Sequence, residues 1–155
     1  MTHRSSQSGF TMVEVLVALV VLAIGLLGIA ALYLNSLQAG RTAIYRTEAI
    51  ELAADLADRI RMNRTAKAAY DTAFSDLEVA VPACATTGGC TGAELAATDL
   101  STWKASIAER LPSGAGQVVV TPPVAAGEPT NYVVMVQWAE VGEVAPVTFQ
   151  FGFQT

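Results

Sequence analysis

The sequence predicts an α+β chain in which one long N-terminal α-helix, membrane-spanning and then amphipathic, packs on a small antiparallel β-sheet head. Three observations predict it. Residues 15–34 carry no charge, a run long enough to cross a bilayer. Apolar residues then recur every three or four positions from Leu37 to Ile60, the period of an amphipathic helix. Near the C-terminus two runs alternate between large apolar and other residues, as half-buried strands do. No proline occurs before Pro82, so nothing in the chain forces the first helix to break.

The N-terminal end is the informative part. Residues 1–9 read Met-Thr-His-Arg-Ser-Ser-Gln-Ser-Gly, polar with one arginine and no acid, and they abut Phe10-Thr-Met-Val-Glu14 and the uncharged run. A secretory signal has a shorter apolar region placed before its cleavage site, and no glutamate at the start of that region. Glu14 stands at the edge of an apolar helix, where a carboxylate costs several kcal/mol to desolvate unless a cation meets it. A cut between Gly9 and Phe10 would create an α-amino group, charged at neutral pH, one helical turn from Glu14 and equally within reach of a neighbouring subunit's Glu14. The plainer reading is that Glu14 sits in the headgroup region near a helix N-terminus, where the dipole favours an acid. Arg4 precedes the apolar run and Arg41 and Arg46 follow it, so the distribution of positive charge leaves orientation undecided. Gly25 and Gly28 sit three apart inside the run, which is not the spacing of a GxxxG dimer motif.

Composition narrows the chemistry. The chain has 155 residues and a net charge of -5, and about 90 residues remain for an aqueous domain once the N-terminal segments are set aside, enough for one small domain. Apolar residues make up 52% of the whole but are concentrated in the N-terminal run. Lysines and arginines are interleaved with acids, without the basic patch that a phosphate backbone requires, so direct nucleic-acid binding is not expected. His3 is the only histidine and lies in the segment expected to be removed. Without it no Ser-His-Asp or Cys-His arrangement can form, and a zinc site would lack ligands. No enzyme activity, cofactor or metal is expected. Cys84 and Cys90 are the only cysteines. A disulfide is the simpler reading, with Gly88 and Gly89 permitting the tight turn; two buried thiols are the other. So short a loop would contribute roughly 2 kcal/mol, and the bond would require an oxidising compartment.

Leu37, Ile44, Tyr45, Ala49, Leu52, Leu56 and Ile60 share one side of the second half of the helix. Asp55 with Arg59 and Asp58 with Arg61 are spaced as helical neighbours, each pair worth a few tenths of a kcal/mol when exposed. Residues 64–97 are rich in Ala, Thr and Gly and read as mostly loop. Thr98 or Asp99 then caps a short helix whose core face is Leu100, Trp103, Ile107 and Leu111, stopped at Pro112-Ser113-Gly114. Residues 118–121 and 132–139 read as strands, the second with Tyr132, Val134, Val136 and Trp138 on one side. After a turn at Gly142, Val147, Phe149, Phe151 and Phe153 alternate with Thr148, Gln150, Gly152 and Gln154. This last strand pairs with its predecessor as an antiparallel hairpin, and its aromatic stripe faces the long helix.

Gly9-Phe-Thr-Met-Val-Glu14 followed by an uninterrupted apolar helix resembles the class III signal of type IV prepilins and pseudopilins, and the order of elements is similar to the type IV pilin fold. Within that superfamily the chain most resembles the PilV-type minor pilins, the type IV pilus modification proteins. The residues carrying this are 14–28, Ala53-Ala-Asp-Leu-Ala-Asp-Arg-Ile-Arg-Met-Asn63, Trp103 and Leu111-Pro-Ser-Gly114. The absence of the helix-bending proline common in major pilins also points to a minor subunit.

The resemblance implies a leader at 1–9, a transmembrane and assembly half-helix at 10–34, an amphipathic half-helix at 35–63 and a periplasmic head at 64–155. It implies that a prepilin peptidase cuts between Gly9 and Phe10 and N-methylates Phe10, and that Glu14 sets the register of an incoming subunit against the amine of one already assembled. The expected partners are that peptidase, the inner-membrane assembly platform, and other minor and major pilins. The expected location is the bacterial inner membrane, as a single-pass protein, and then the pilus. The expected role is to prime pilus assembly at or near the tip; the alternative is a minor pseudopilin of a type II secretion system.

Overall fold

The computed structural model describes residues 9–81, 84, 89–125 and 127–155. The first eight residues of the expected leader, with His3 and Arg4, lie outside them, as does Gly88 of the cysteine turn. The elements in chain order are helix α1 (Met12–Met62), a 3₁₀ turn (Lys67–Tyr70), helix α2 (Gly92–Arg110) and strands β1 (Ala115–Thr121), β2 (Asn131–Trp138) and β3 (Val147–Gln154). The chain forms two compact units, Met1–Arg41 and Thr42–Thr155, and the boundary falls inside α1. The fold is α+β: a long N-terminal helix with an apolar first part, and a three-stranded antiparallel sheet in the order β1-β2-β3.

In the second unit, α1 buries Ala49, Leu52, Ala53, Leu56, Ala57 and Ile60. Leu37 and Ile44, which the spacing placed on the same buried face, are instead 51% and 60% exposed; the part of α1 that enters the core begins at Tyr45. Asp55 meets Arg59 at 3.0 Å and Asp58 meets Arg61 at 2.7 Å, the two helical pairs expected.

The long loop expected at 64–97 is partly structured. Helix α2 starts at Gly92, not after Thr98 or Asp99. Its cap is Thr91: the Thr91 hydroxyl accepts from the Glu94 N–H at 3.3 Å, while the Glu94 carboxylate accepts from the Thr91 N–H at 2.8 Å, a reciprocal capping box. Thr98 lies inside the helix, its hydroxyl donating to Glu94 O at 3.0 Å. Asp99 is buried. Thr91 holds the Glu94 carboxyl below its ordinary value through the backbone hydrogen bond first and the hydroxyl second. A carboxyl whose folded value is depressed stabilises the fold above its unfolded value and stops doing so as pH falls through the folded one. Backbone amides in the first turn of α2 should therefore exchange faster as pH is lowered below the ordinary glutamate range, after correction for intrinsic exchange, and Glu94→Gln should weaken that dependence.

Cys90 immediately precedes the cap and is disulfide-bonded to Cys84, with Cα atoms 5.1 Å apart. Gly89 between them has φ +74°, the left-handed region in which glycine meets no steric cost.

β1 and β2 pair from Ala115↔Gln137 to Thr121↔Asn131, and β2 and β3 from Asn131↔Gln154 to Trp138↔Val147. Tyr132, Val134, Val136 and Trp138 are buried and stand opposite Phe153, Phe151, Phe149 and Val147, so the two apolar stripes share one face of the sheet. The Tyr132 and Phe153 rings stack at 5.2 Å, and the Arg61 guanidinium of α1 lies 4.8 Å from the Phe153 ring centre. A methyl group on Gly116 would lie 2.5 Å from Trp103 ring atoms. Gly116→Val should therefore overpack the site and lower stability by about 1–3 kcal/mol, read as a lower thermal midpoint of the detergent-solubilised chain.

Candidate functional site

In the first unit, the segment that carries the candidate residues is bare. Gly9 and Phe10 precede α1, and every residue from 9 to 41 is exposed. The most apolar eighteen residues of α1 have a mean hydropathy of 3.1, and none of them is buried. A core helix of a soluble protein would have this surface covered. A helix that is apolar all round and uncovered within its own chain needs lipid or other chains around it.

Glu14 lies in the first turn of α1. Its N–H donates to Thr11 O at 3.1 Å and to the Thr11 hydroxyl at 3.3 Å, so Thr11 caps the helix and Glu14 occupies the position where the dipole favours an acid. No ion pair includes Glu14 among the described residues. Phe10, Glu14, Val15, Ala18, Leu19 and Leu22 border one open groove of about 480 Å³. The structure thus brings Phe10 and Glu14 to one side of the helix start and leaves the carboxylate free of a cation from the described chain.

The second unit is held by polar bonds that join its helices. Arg59 reaches Asp99 of α2 at 3.2 Å as well as Asp55. The Tyr70 hydroxyl donates to Asp99 at 2.8 Å and accepts from the Asn63 amide at 3.2 Å, and that amide also donates to Gly92 O at 2.8 Å. Burial pushes the Tyr70 hydroxyl well above the ordinary tyrosine value, so it stays a donor across the physiological range. Burial lowers the Arg59 value, but hydrogen bonds and charge from Asp99 and Asp55 outweigh it, so the value is raised. The Trp103 indole N–H donates to Leu52 O at 2.9 Å. Arg110 pairs with Glu48 and Glu51 of α1. Asn63 begins an Asn-Arg-Thr sequon, but the buried side chain is committed to Tyr70 and Gly92. Arg59, Asp99, Arg110, Glu48 and Glu51 are thus spent on bonds that join α1 and α2.

Two family models match the sequence. The prokaryotic N-terminal methylation motif covers residues 4–30, and type IV pilin Tt1218 covers residues 31–101. The two matches adjoin near the end of the apolar run and take in Gly9, Phe10, Glu14, all of α1 and the first half of α2. The chain belongs to the type IV pilin superfamily. No curated protein and no solved structure matches it. The pilin carries the superfamily's N-terminal motif on a helix apolar and long enough to anchor it in a membrane. Its role is that of a structural pilin subunit and not of an enzyme.

Proposed function

We propose that this pilin is a PilV-type minor subunit that acts with other minor pilins to prime a type IV pilus and sits at or near its tip. Residues 1–9 form the leader, and a prepilin peptidase cuts between Gly9 and Phe10 and methylates the new amine of Phe10. Residues 10–34 are the part of the helix that moves from lipid into the filament, 35–63 the amphipathic part, and 64–155 the head, held in the periplasm by the single membrane span before assembly. The Cys84–Cys90 bond agrees with an oxidising compartment of that kind.

The observation that carries the reading is a lone carboxylate, Glu14, at the start of a helix whose apolar first part, up to residue 41, is wholly uncovered. Lipid covers that surface while the subunit waits in the inner membrane, and the helices of neighbouring major and minor pilins cover it once the assembly platform has moved the subunit into the filament. During that transfer the carboxylate needs a positive partner, and the processed amine of an adjacent subunit supplies one; methylation keeps its charge. Deleting the chain should abolish pili and leave protein secretion intact. Loss of secretion with pili unaffected would instead assign it to a type II secretion system as a minor pseudopilin.

A further inference from the structure

The two edges of the sheet are treated differently. Thr130 and Thr155 exchange both backbone hydrogen bonds, at 3.0 and 3.1 Å. Antiparallel ladders alternate between bonded and non-bonded pairs. Phe149, Phe151 and Phe153 therefore direct their backbone groups at β2, while Thr148, Gln150, Gly152 and Gln154 direct theirs away from it. The same alternation turns the backbone groups of Val118 and Val120 away from β2 on the other side. There the chain covers them: Val118 exchanges backbone bonds with Thr72 at 2.9 and 3.0 Å, and the Val120 N–H donates to the Asp71 carboxylate at 2.9 Å. Lys104 pins that cover in place through bonds to Thr72, Ala73 O and Asp76 O at 2.7–2.8 Å.

Among the described residues nothing bonds to the outward backbone groups of Thr148, Gln150 and Gly152. Residues 147–154 also lack every usual guard of an edge strand: they contain no charge and no proline, and each pairs one-to-one with β2 without a bulge. Gly152 adds a second, independent observation. A strand-interior glycine weakens the strand and often marks a close approach by another backbone or ligand. At Gly116 the cause is internal, because Trp103 occupies the space, but at Gly152 an added methyl would meet only Tyr132 O, at 3.9 Å. Gly152 instead lies in an open depression of about 410 Å³ bordered by Asn131, Tyr132, Val133, Phe153 and Gln154.

We propose that the free edge of β3 takes an added strand, an extended and uncharged segment of a different polypeptide, with a large aromatic or aliphatic side chain seated over Gly152. Alternating backbone donors and acceptors are complementary to an extended main chain and to little else. The segment's alternate residues are apolar where they continue the stripe of Phe149, Phe151 and Phe153. A second copy of β3 is the wrong occupant: in each antiparallel register that matches outward groups to outward groups, it places Thr148, Gln150, Gly152 or Gln154 over the depression, and none of these is large and apolar. The inference does not depend on the filament reading.

The test uses the full-length chain in detergent micelles and a capped synthetic peptide, Thr-Val-Tyr-Val-Gln-Val-Thr, which sets tyrosine against Gly152 when it pairs antiparallel. Amide exchange is followed by NMR. The peptide should slow exchange at Thr148, Gln150 and Gly152 about tenfold or more and leave Phe149, Phe151 and Phe153 unchanged. Gln150→Pro removes an outward N–H without touching a bond to β2 and should weaken the peptide's effect about tenfold. If that variant does not fold, Gly152→Lys decides, since it keeps every backbone group but fills the depression with a charge. The proposal is overturned if the three amides already exchange slowly without peptide, if the peptide does not slow them, if the folded variant responds like the parent, or if the chain alone pairs with itself through β3.

Discussion

Replacing Glu14 by alanine should leave the pilin inserted in the membrane and its head folded, yet cut its incorporation into filaments roughly a hundredfold. Insertion depends on the uncharged run, which the substitution leaves intact and even extends. The head is unaffected because Glu14 lies in the first unit and is not among the residues of the core. Assembly is different. If the amine of a processed neighbour pairs with Glu14 where water is scarce, removing the acid strands a cation, and breaking one side of a buried pair costs about 3 kcal/mol or more, or two orders of magnitude in a binding equilibrium. Glu14→Asp should retain part of the function, since it keeps the charge on a shorter arm. The measurement is the ratio of this pilin in sheared filaments to that in membranes. A Glu14→Ala ratio equal to the parent's would mean that Glu14 serves only its own helix terminus.

Trp103→Ala should unfold or nearly unfold the head while the apolar part of α1 remains helical. Trp103 is almost wholly buried, its ring lies against Gly116, and its N–H holds Leu52 O of α1. Truncating a buried tryptophan costs about 3–5 kcal/mol, a large share of the 5–15 kcal/mol that stabilises a typical domain. For a head of this size the midpoint should fall by roughly 15–30 °C. Near-ultraviolet circular dichroism should lose the head's transition while much of the far-ultraviolet helical signal persists, because none of residues 12–41 belongs to the core. A variant melting within a few degrees of the parent would show that the core does not depend on this ring.

The long helix and the final hairpin were legible because each carries an uncontested signal. No proline or run of charge interrupts Met12–Met62, and the period of two from Tyr132 and from Val147 admits one register with both apolar stripes inside. Helix α2 was legible only in part. Its first turns, Gly92-Ala-Glu-Leu-Ala-Ala, present little apolar periodicity because alanine and glycine carry no strong stripe. The Thr91-to-Glu94 spacing of a capping box was there to be read. Asp99 imitates a cap because it follows Thr98 and precedes an apolar series; the partners that make it a buried acid, Arg59 and Tyr70, lie in distant parts of the chain. Leu37 and Ile44 follow the helical period correctly but lie before Tyr45, where α1 joins the core. For the candidate site, Glu14 was marked by its charge at the edge of an apolar run, and the roles expected of Gly9, Phe10 and Glu14 came from the resemblance to the class III signal. The partner expected for Glu14, the amine that a cut before Phe10 would create, could be named from the sequence, but a neighbouring subunit's amine lies outside a single chain. The free edge of β3 required the strand order, which a single strand's pattern does not contain.

The mass of the mature N-terminus tests the central claim most directly. Polypeptide purified from the membrane of cells that express it should lack residues 1–9 and begin at Phe10 carrying one methyl group on its amine. A chain that still begins at Met1 would leave Glu14 without the cation that processing supplies, and would contradict the proposed mechanism of assembly.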